Sequence, residues 1–180
     1  TALDIIRKPI IKDDNINDFA LRVGIYPYCR YLDPQGVTKN KIHMFVGAED
    51  QTTRALFCKD MTDSFNKFGG NASIDIYPGA YHNFDALFKD DQAKFTTMQF
   101  KVTDNCKYWV AIDGSRSWRM GDKIIDMDAY KGWNFSSDKN YKAYKKECEP
   151  PWGAIVGRND KAAKQSAKKL IKLINKHLKK

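Results

Sequence analysis

The sequence has no run of about 18 or more apolar residues, so no membrane-spanning helix is expected. Its start, Thr1-Ala2-Leu3-Asp4, lacks the basic residues and long apolar core of a signal peptide, which leaves any export signal upstream. There is also no initiator Met, and Thr1 opens in the middle of what reads as a helix; a processed or truncated chain is the expectation. Cys29, Cys58, Cys106 and Cys148 include no CxxC and no Cys/His spacing that would build a zinc site, so no metal is expected. Four cysteines allow two disulfides, which would fit an exported protein, or four scattered thiols, which would fit a reducing cytoplasm. Acid is missing from the last stretch: residues 161–180 hold eight Lys and no Asp or Glu, while the other 160 residues carry 23 basic and 22 acidic groups. The net charge of +9 therefore belongs to one terminal segment. An all-lysine excess on one helix reads as a solvated face and not as a nucleic-acid surface, where arginine forks and aromatics are interleaved. No internal repeat is visible.

What the chain does contain suits one globular domain: 180 residues, 42% apolar and 29% charged. Ala2, Leu3, Ile5 and Ile6 sit at helical spacing before Pro9, as the remainder of a buried helix would. Leu21–Pro27 and Lys41–Gly47 are short β-type runs that stop at proline and at glycine. From Thr52 to Phe68, Leu56, Phe57, Met61, Phe65 and Phe68 share a helical stripe that ends at Gly69-Gly70, a natural left-handed cap. Ala72–Tyr77 alternates as a strand does. Strand, helix and strand with a crossover between them predict a parallel βαβ unit and a three-layer α/β fold. Residues 91–152 read as a loop-rich flap, with short strands at Lys101-Val102 and Tyr108–Ile112. Residues 153–180 end in an amphipathic helix over Asp160–Leu178, capped by Asn159, with Ala163, Ala167, Leu170, Ile171, Ile174 and Leu178 on its packing face.

Ligand and catalytic groups collect at the carboxyl ends of parallel strands. Two such ends carry chemistry here: Gly47-Ala48-Glu49-Asp50 and Tyr77-Pro78-Gly79-Ala80-Tyr81-His82. They would bring Asp50 and His82 to one sheet edge. A carboxylate against an imidazole fixes its tautomer and stabilises the imidazolium formed when the ring takes a proton from a nucleophile. Spacing alone also fits an aspartate that caps the following helix and a lone loop histidine.

The wording around both residues goes further. Tyr26-Pro27-Tyr28-Cys29, Phe45-Val46-Gly47-Ala48-Glu49-Asp50-Gln51-Thr52, Cys58, the glycine pair, and Tyr77-Pro78-Gly79-Ala80-Tyr81-His82-Asn83-Phe84-Asp85 closely resemble the dienelactone hydrolase branch of the α/β-hydrolases, over roughly residues 1–90. Gly153–Asn159 is similar to that branch's carboxyl end. The resemblance implies the carboxyl-terminal part of an α/β-hydrolase fold with a partial parallel sheet, a small-molecule ester or lactone as substrate, and no cofactor. It makes Asp50 the catalytic acid and His82 the catalytic base, with a Ser or Cys nucleophile on an elbow just upstream of Thr1. The amino-terminal part of the same fold would then be absent, and with it the oxyanion hole. Ser115, in Gly114-Ser115-Arg116, imitates an elbow but follows the His and lacks a second flanking glycine. Cys29 fits a packing role or a disulfide, with Cys58 one candidate partner; the pairing of the four cysteines stays open. Asn83-Phe84-Asp85-Ala86-Leu87 lacks the arginine that holds a substrate carboxylate in the family, so a substrate without a carboxylate is expected. Tyr81, Phe84, Trp109 and Trp118 would suit an apolar or aromatic ester, but satellite core is the commoner role of aromatics in such a segment. Two alternatives remain: an amidase or peptidase on this fold, and a non-catalytic binding module on a degenerate hydrolase scaffold.

Overall fold

A computed structural model of the chain describes residues 19–29, 31–32, 39–86, 95–101, 106–110, 116–120, 123–126, 142, 145–148 and 152–178. The helix expected at residues 1–8 and the elbow-like Ser115 lie outside the described residues.

The centre is a parallel three-stranded sheet of β1 (Leu21–Ile25), β3 (Lys41–Gly47) and β4 (Asn71–Tyr77), in the order β1-β3-β4. The protein is thus a mixed α/β structure. The central strand is the most apolar, and Ile42 through Gly47 are all buried, as a strand covered on both faces requires. Its alternate side chains serve two cores. Ile42, Met44 and Val46 pack with Cys58, Met61 and Phe65 of helix α1 (Ala55–Lys67), while Phe45 packs with Tyr77, Phe84 and with Ala162 and Leu173 of helix α2 (Asp160–His177). A helix on either side of the sheet gives the expected three layers. The β3-α1-β4 crossover is in parallel register from Lys41↔Asn71 to Gly47↔Tyr77.

Helix α1 ends as its glycine pair predicts. Gly69 takes φ +84°, a backbone conformation that L side chains rarely adopt, and the Gly69 and Gly70 N–H groups close on the carbonyls of Asn66 and Phe65. A disulfide, Cys29–Cys58, staples the segment after β1 to the buried face of α1, with Cα atoms 4.9 Å apart. Closing a loop of 29 residues is worth about 3.5 kcal/mol in the chain-entropy account. Cys106–Cys148 is the second bridge, so no free cysteine remains.

Three expectations need correction. Helix α1 starts at Ala55 and not at Thr52, because the N–H groups of Thr52 and Thr53 are taken by the Asp50 side chain. The region expected to be a loop-rich flap contains strands β5 (Phe95–Lys101), β6 (Lys107–Val110), β7 (Arg116–Met120) and β8 (Lys123–Asp126). Strand β5 pairs antiparallel with β9 (Trp152–Val156), and β6, β7 and β8 form an antiparallel sheet joined at its edge by β2 (Tyr31–Leu32). Period-two reading misses β5 because Phe95, Met98 and Phe100 do not alternate, and the pairing itself shifts register between Thr97 and Lys101. Finally, α2 packs through Ala162, Ser166 and Leu173, with Leu170 beside them, and leaves Ala167, Ile171, Ile174 and Leu178 exposed. Ala162, Leu170 and Leu173 meet the aromatic side chains of Phe45, Tyr77 and Phe84, so the face that completes this core is turned inward and the other apolar residues are left outside.

Candidate active site

Parallel, in-register strands end together, so the turns after β3 and β4 leave the sheet side by side. They are zipped to one another: Ala48 N–H donates to the Tyr77 carbonyl and Glu49 N–H to the Ala80 carbonyl, each at 2.9 Å. Gly47 permits this approach, since a Cβ there would lie 2.2 Å from the Ala80 oxygen.

Asp50 and His82 meet at this edge. His82 Nδ1 is 2.8 Å from Asp50 Oδ2, with the aspartate side chain fully buried and the imidazole 9% exposed. A carboxylate oxygen only accepts, so Nδ1 carries the hydrogen and the ring's lone pair belongs to Nε2. The aspartate is held by three further donors: Thr52 N–H at 2.8 Å and Thr53 N–H at 2.7 Å on Oδ1, and Thr53 Oγ1–H at 2.7 Å on Oδ2. Asp50 therefore does not cap α1, whose N-cap residue Arg54 makes no side-chain capping bond. Its carboxylate is spent on orienting its own loop and the imidazole.

The histidine is fixed from its backbone as well. Strand β9 runs beside it, forming a parallel bridge between His82 and Val156, and Gly157 N–H donates to the His82 carbonyl at 3.1 Å. Gln51 Oε1 accepts from Ile155 N–H at 2.9 Å, tying the Asp50 loop to the same strand. Downstream, Asn159 N–H reaches the Phe84 carbonyl, Asn159 Nδ2 donates to the Gly79 carbonyl, and Asn159 Oδ1 caps α2 through Ala162 N–H. Arg158 donates from one terminal nitrogen to the carbonyls of Asp85 and Ala86 and from Nε to Asp160. The chain that follows β9 is thus laid along the His82 loop.

One face of the imidazole is covered by Tyr26, with ring centroids 4.6 Å apart. Tyr26 sits just after β1 at φ +37°, left-handed for a non-glycine residue, and its N–H bonds the Phe45 carbonyl. Asn83, next to the histidine, is also left-handed at φ +60°. Such backbone strain concentrates at functional sites. Burial, followed by the negative charge of Asp85, pushes the Tyr26 phenol up to about 12, so it stays protonated over the whole neutral range.

The two residues singled out from the sequence are therefore brought together. Cys29 is paired with Cys58, one of the arrangements the sequence left open, and the disulfides remove all four thiols as nucleophiles. Of the four aromatics weighed for an apolar substrate, Phe84 is fully buried in the α2-side core, the commoner of the two roles the sequence allowed. Sequence reasoning gave no role to Thr53, Gln51 or Arg158. A signal existed for the first: Asp followed two and three residues on by Thr is an Asx/ST-turn pattern. No group of His, Cys, Asp and Glu among the described residues is arranged to hold a metal.

Comparison of the chain with protein-family models, curated proteins and solved structures finds no match.

Proposed function

We propose that this chain carries the acid–base half of an α/β-hydrolase-type active site that cleaves carboxylic ester or lactone bonds. The observation that carries the reading is the buried His82–Asp50 hydrogen bond, with its carboxylate saturated by loop donors. The resemblance of residues 1–90 to the dienelactone hydrolase branch supports it, as does the parallel sheet that presents both groups at one edge.

On this reading His82 Nε2 takes the proton from a Ser or Cys side chain encoded upstream of Thr1 as that oxygen or sulfur attacks the carbonyl carbon. Asp50 holds the imidazolium in orientation and offsets its charge. The imidazolium then protonates the departing alkoxide as the carbon–oxygen bond breaks, leaving an acyl-enzyme. Water, deprotonated by the same nitrogen, attacks that acyl group and releases the carboxylic acid and the free nucleophile. Thr53 acts through Asp50 as a positioning residue, and Tyr26 holds the plane of the ring.

The test uses the chain extended upstream of Thr1 and a panel of activated esters, lactones and aminoacyl amides. Ester or lactone turnover that disappears in Asp50→Asn and His82→Gln supports the proposal. Turnover of the amides alone would make the protein an amidase, and no turnover at all would leave a binding module on the hydrolase scaffold.

A further inference from the structure

Among the described residues, β4 is an edge strand with no partner on the side away from β3. Asn66, at the end of α1, brackets Ala72 there: its Nδ2 donates to the Ala72 carbonyl at 2.9 Å and its Oδ1 accepts from the Ala72 N–H at 2.8 Å. An amide side chain thus stands in for a neighbouring strand at Ala72. The Tyr77 carbonyl, in contrast, is turned toward β3, where it accepts from Ala48. Backbone directions alternate with a period of two, so the N–H and C=O groups of Ile74 and Ile76 point the same way as those of Ala72, away from β3. Among the described residues nothing pairs with them, and Ile76 is 38% exposed.

Beside this edge runs an open groove of about 550 Å³, with Ile74, Asp75, Ile76, Tyr77 and Pro78 on one wall and Gln165, Lys168, Lys169 and Lys172 of α2 on the other. Positions 165, 168, 169 and 172 share one helical face. No acidic side chain among the described residues bridges to these lysines, and Asp75, the acid in the groove, is already bonded to His43. The positive field is strong enough to act on a neighbour: besides burial, Lys176 and Lys169 lower the Lys41 ammonium below its ordinary value.

We infer that the β4 edge and the lysine face of α2 form a docking groove for an acidic segment that binds in extended conformation as an added strand. Main-chain bonds to Ile74 and Ile76 supply the pairing, and charge supplies the selection. The spacing fits: Lys168 and Lys172 are about 6 Å apart along the helix axis, close to the roughly 6.7 Å between alternate side chains of a strand. A partner with acids at every second position meets both. A second copy of this chain is disfavoured, because edge-to-edge pairing would bring together two helix faces that carry Lys168, Lys169 and Lys172 and no acid.

The test is a short blocked, fluorescein-labelled peptide alternating Glu with Val or Thr, titrated into the 180-residue chain and followed by anisotropy. Saturable binding is expected, with amide exchange slowed at Ile74 and Ile76. Lys168→Glu combined with Lys172→Glu, both on the solvent face, should weaken binding by roughly tenfold or more. Methylating alternate backbone nitrogens of the peptide should do the same. Equal binding of a Lys-alternating peptide, or of the methylated peptide, overturns the inference, the latter because it leaves charge alone. So does a result in which phosphatidylserine vesicles bind and the peptide does not, or in which the chain dimerises through β4.

Discussion

The same small sheet holds two histidine–aspartate pairs, and they are built for opposite ends. His82 and Asp50 sit on turns beyond the strands; His43 and Asp75 sit within strands, beneath α2. In the first pair the carboxylate takes Nδ1 and assigns the lone pair to Nε2. In the second, Nε2 is 3.1 Å from Asp75 Oδ2 and Nδ1 is 2.6 Å from Ser73 Oγ. Because Asp75 accepts, Nε2 carries the hydrogen and the serine hydroxyl donates to Nδ1. Both ring nitrogens of His43 are consumed, and an imidazole with both nitrogens engaged has no lone pair to offer a substrate. A Ser–His–Asp constellation is therefore not in itself a catalytic triad. Position in the fold decides, since strand interiors satisfy polar groups internally while strand ends present them.

The largest expected effect separates the two pairs by activity. In the upstream-extended chain, Asp50→Asn should lower ester turnover by about 10⁴, as loss of the correct tautomer does in such triads, whereas Asp75→Asn should leave kcat essentially unchanged. Comparable losses in both variants would erase the distinction drawn here.

Gly47→Ala probes the closeness of the turns. Its Cβ would press on the Ala80 carbonyl, so the His82 loop must move, with a stability loss of about 1–3 kcal/mol and a longer His82–Asp50 distance. The His43–Asp75 pair should not notice. Chemical denaturation and the downfield imidazole N–H resonances together report both halves of that statement.

Asn159→Ala removes the α2 cap and the tie to Gly79 and should cost about 1 kcal/mol in urea unfolding. Crystallography of the variant would show the His82 loop displaced while His43 stays in place.

The most modest effect is one of pH. Burial in the first place, with Lys169 and Lys41 adding to it, lowers His43 below its ordinary value despite the opposing pull of Asp75. The folded state then binds fewer protons than the unfolded one, so the stability His43 contributes is present above about pH 6.5 and is lost as pH falls through the window down to its lowered folded value. Urea midpoints measured across that window should fall in the wild type and flatten in His43→Gln.

Legibility in the sequence followed covalent and local rules. The boundaries of β3 and the stop at Gly69 could be read because glycine and a buried apolar run act locally, and Asn159 was recognisable as a cap for the same reason. The meeting of Asp50 with His82 was inferable once the crossover was taken as parallel. Of the strands at 95–126, β6 was legible in part, as the run Tyr108–Ile112; β5, β7 and β8 were not, because a bulge in β5 and non-alternating side chains hide their period. Nor was the inward face of α2: burial there is decided by which residues meet Phe45, Tyr77 and Phe84, and apolarity alone pointed to a different stripe.

By itself, then, the sequence determined the β1, β3, α1, β4 succession and the closing helix, the residue types at the strand ends and the concentration of positive charge in one helix, since each depends on near neighbours in the chain. Tertiary structure alone decided which acid each of the two histidines meets, which cysteines join, and which edge of the sheet is unpaired among the described residues. Those outcomes turn on distances between residues some thirty positions apart, and such distances are set by packing, which no local pattern encodes.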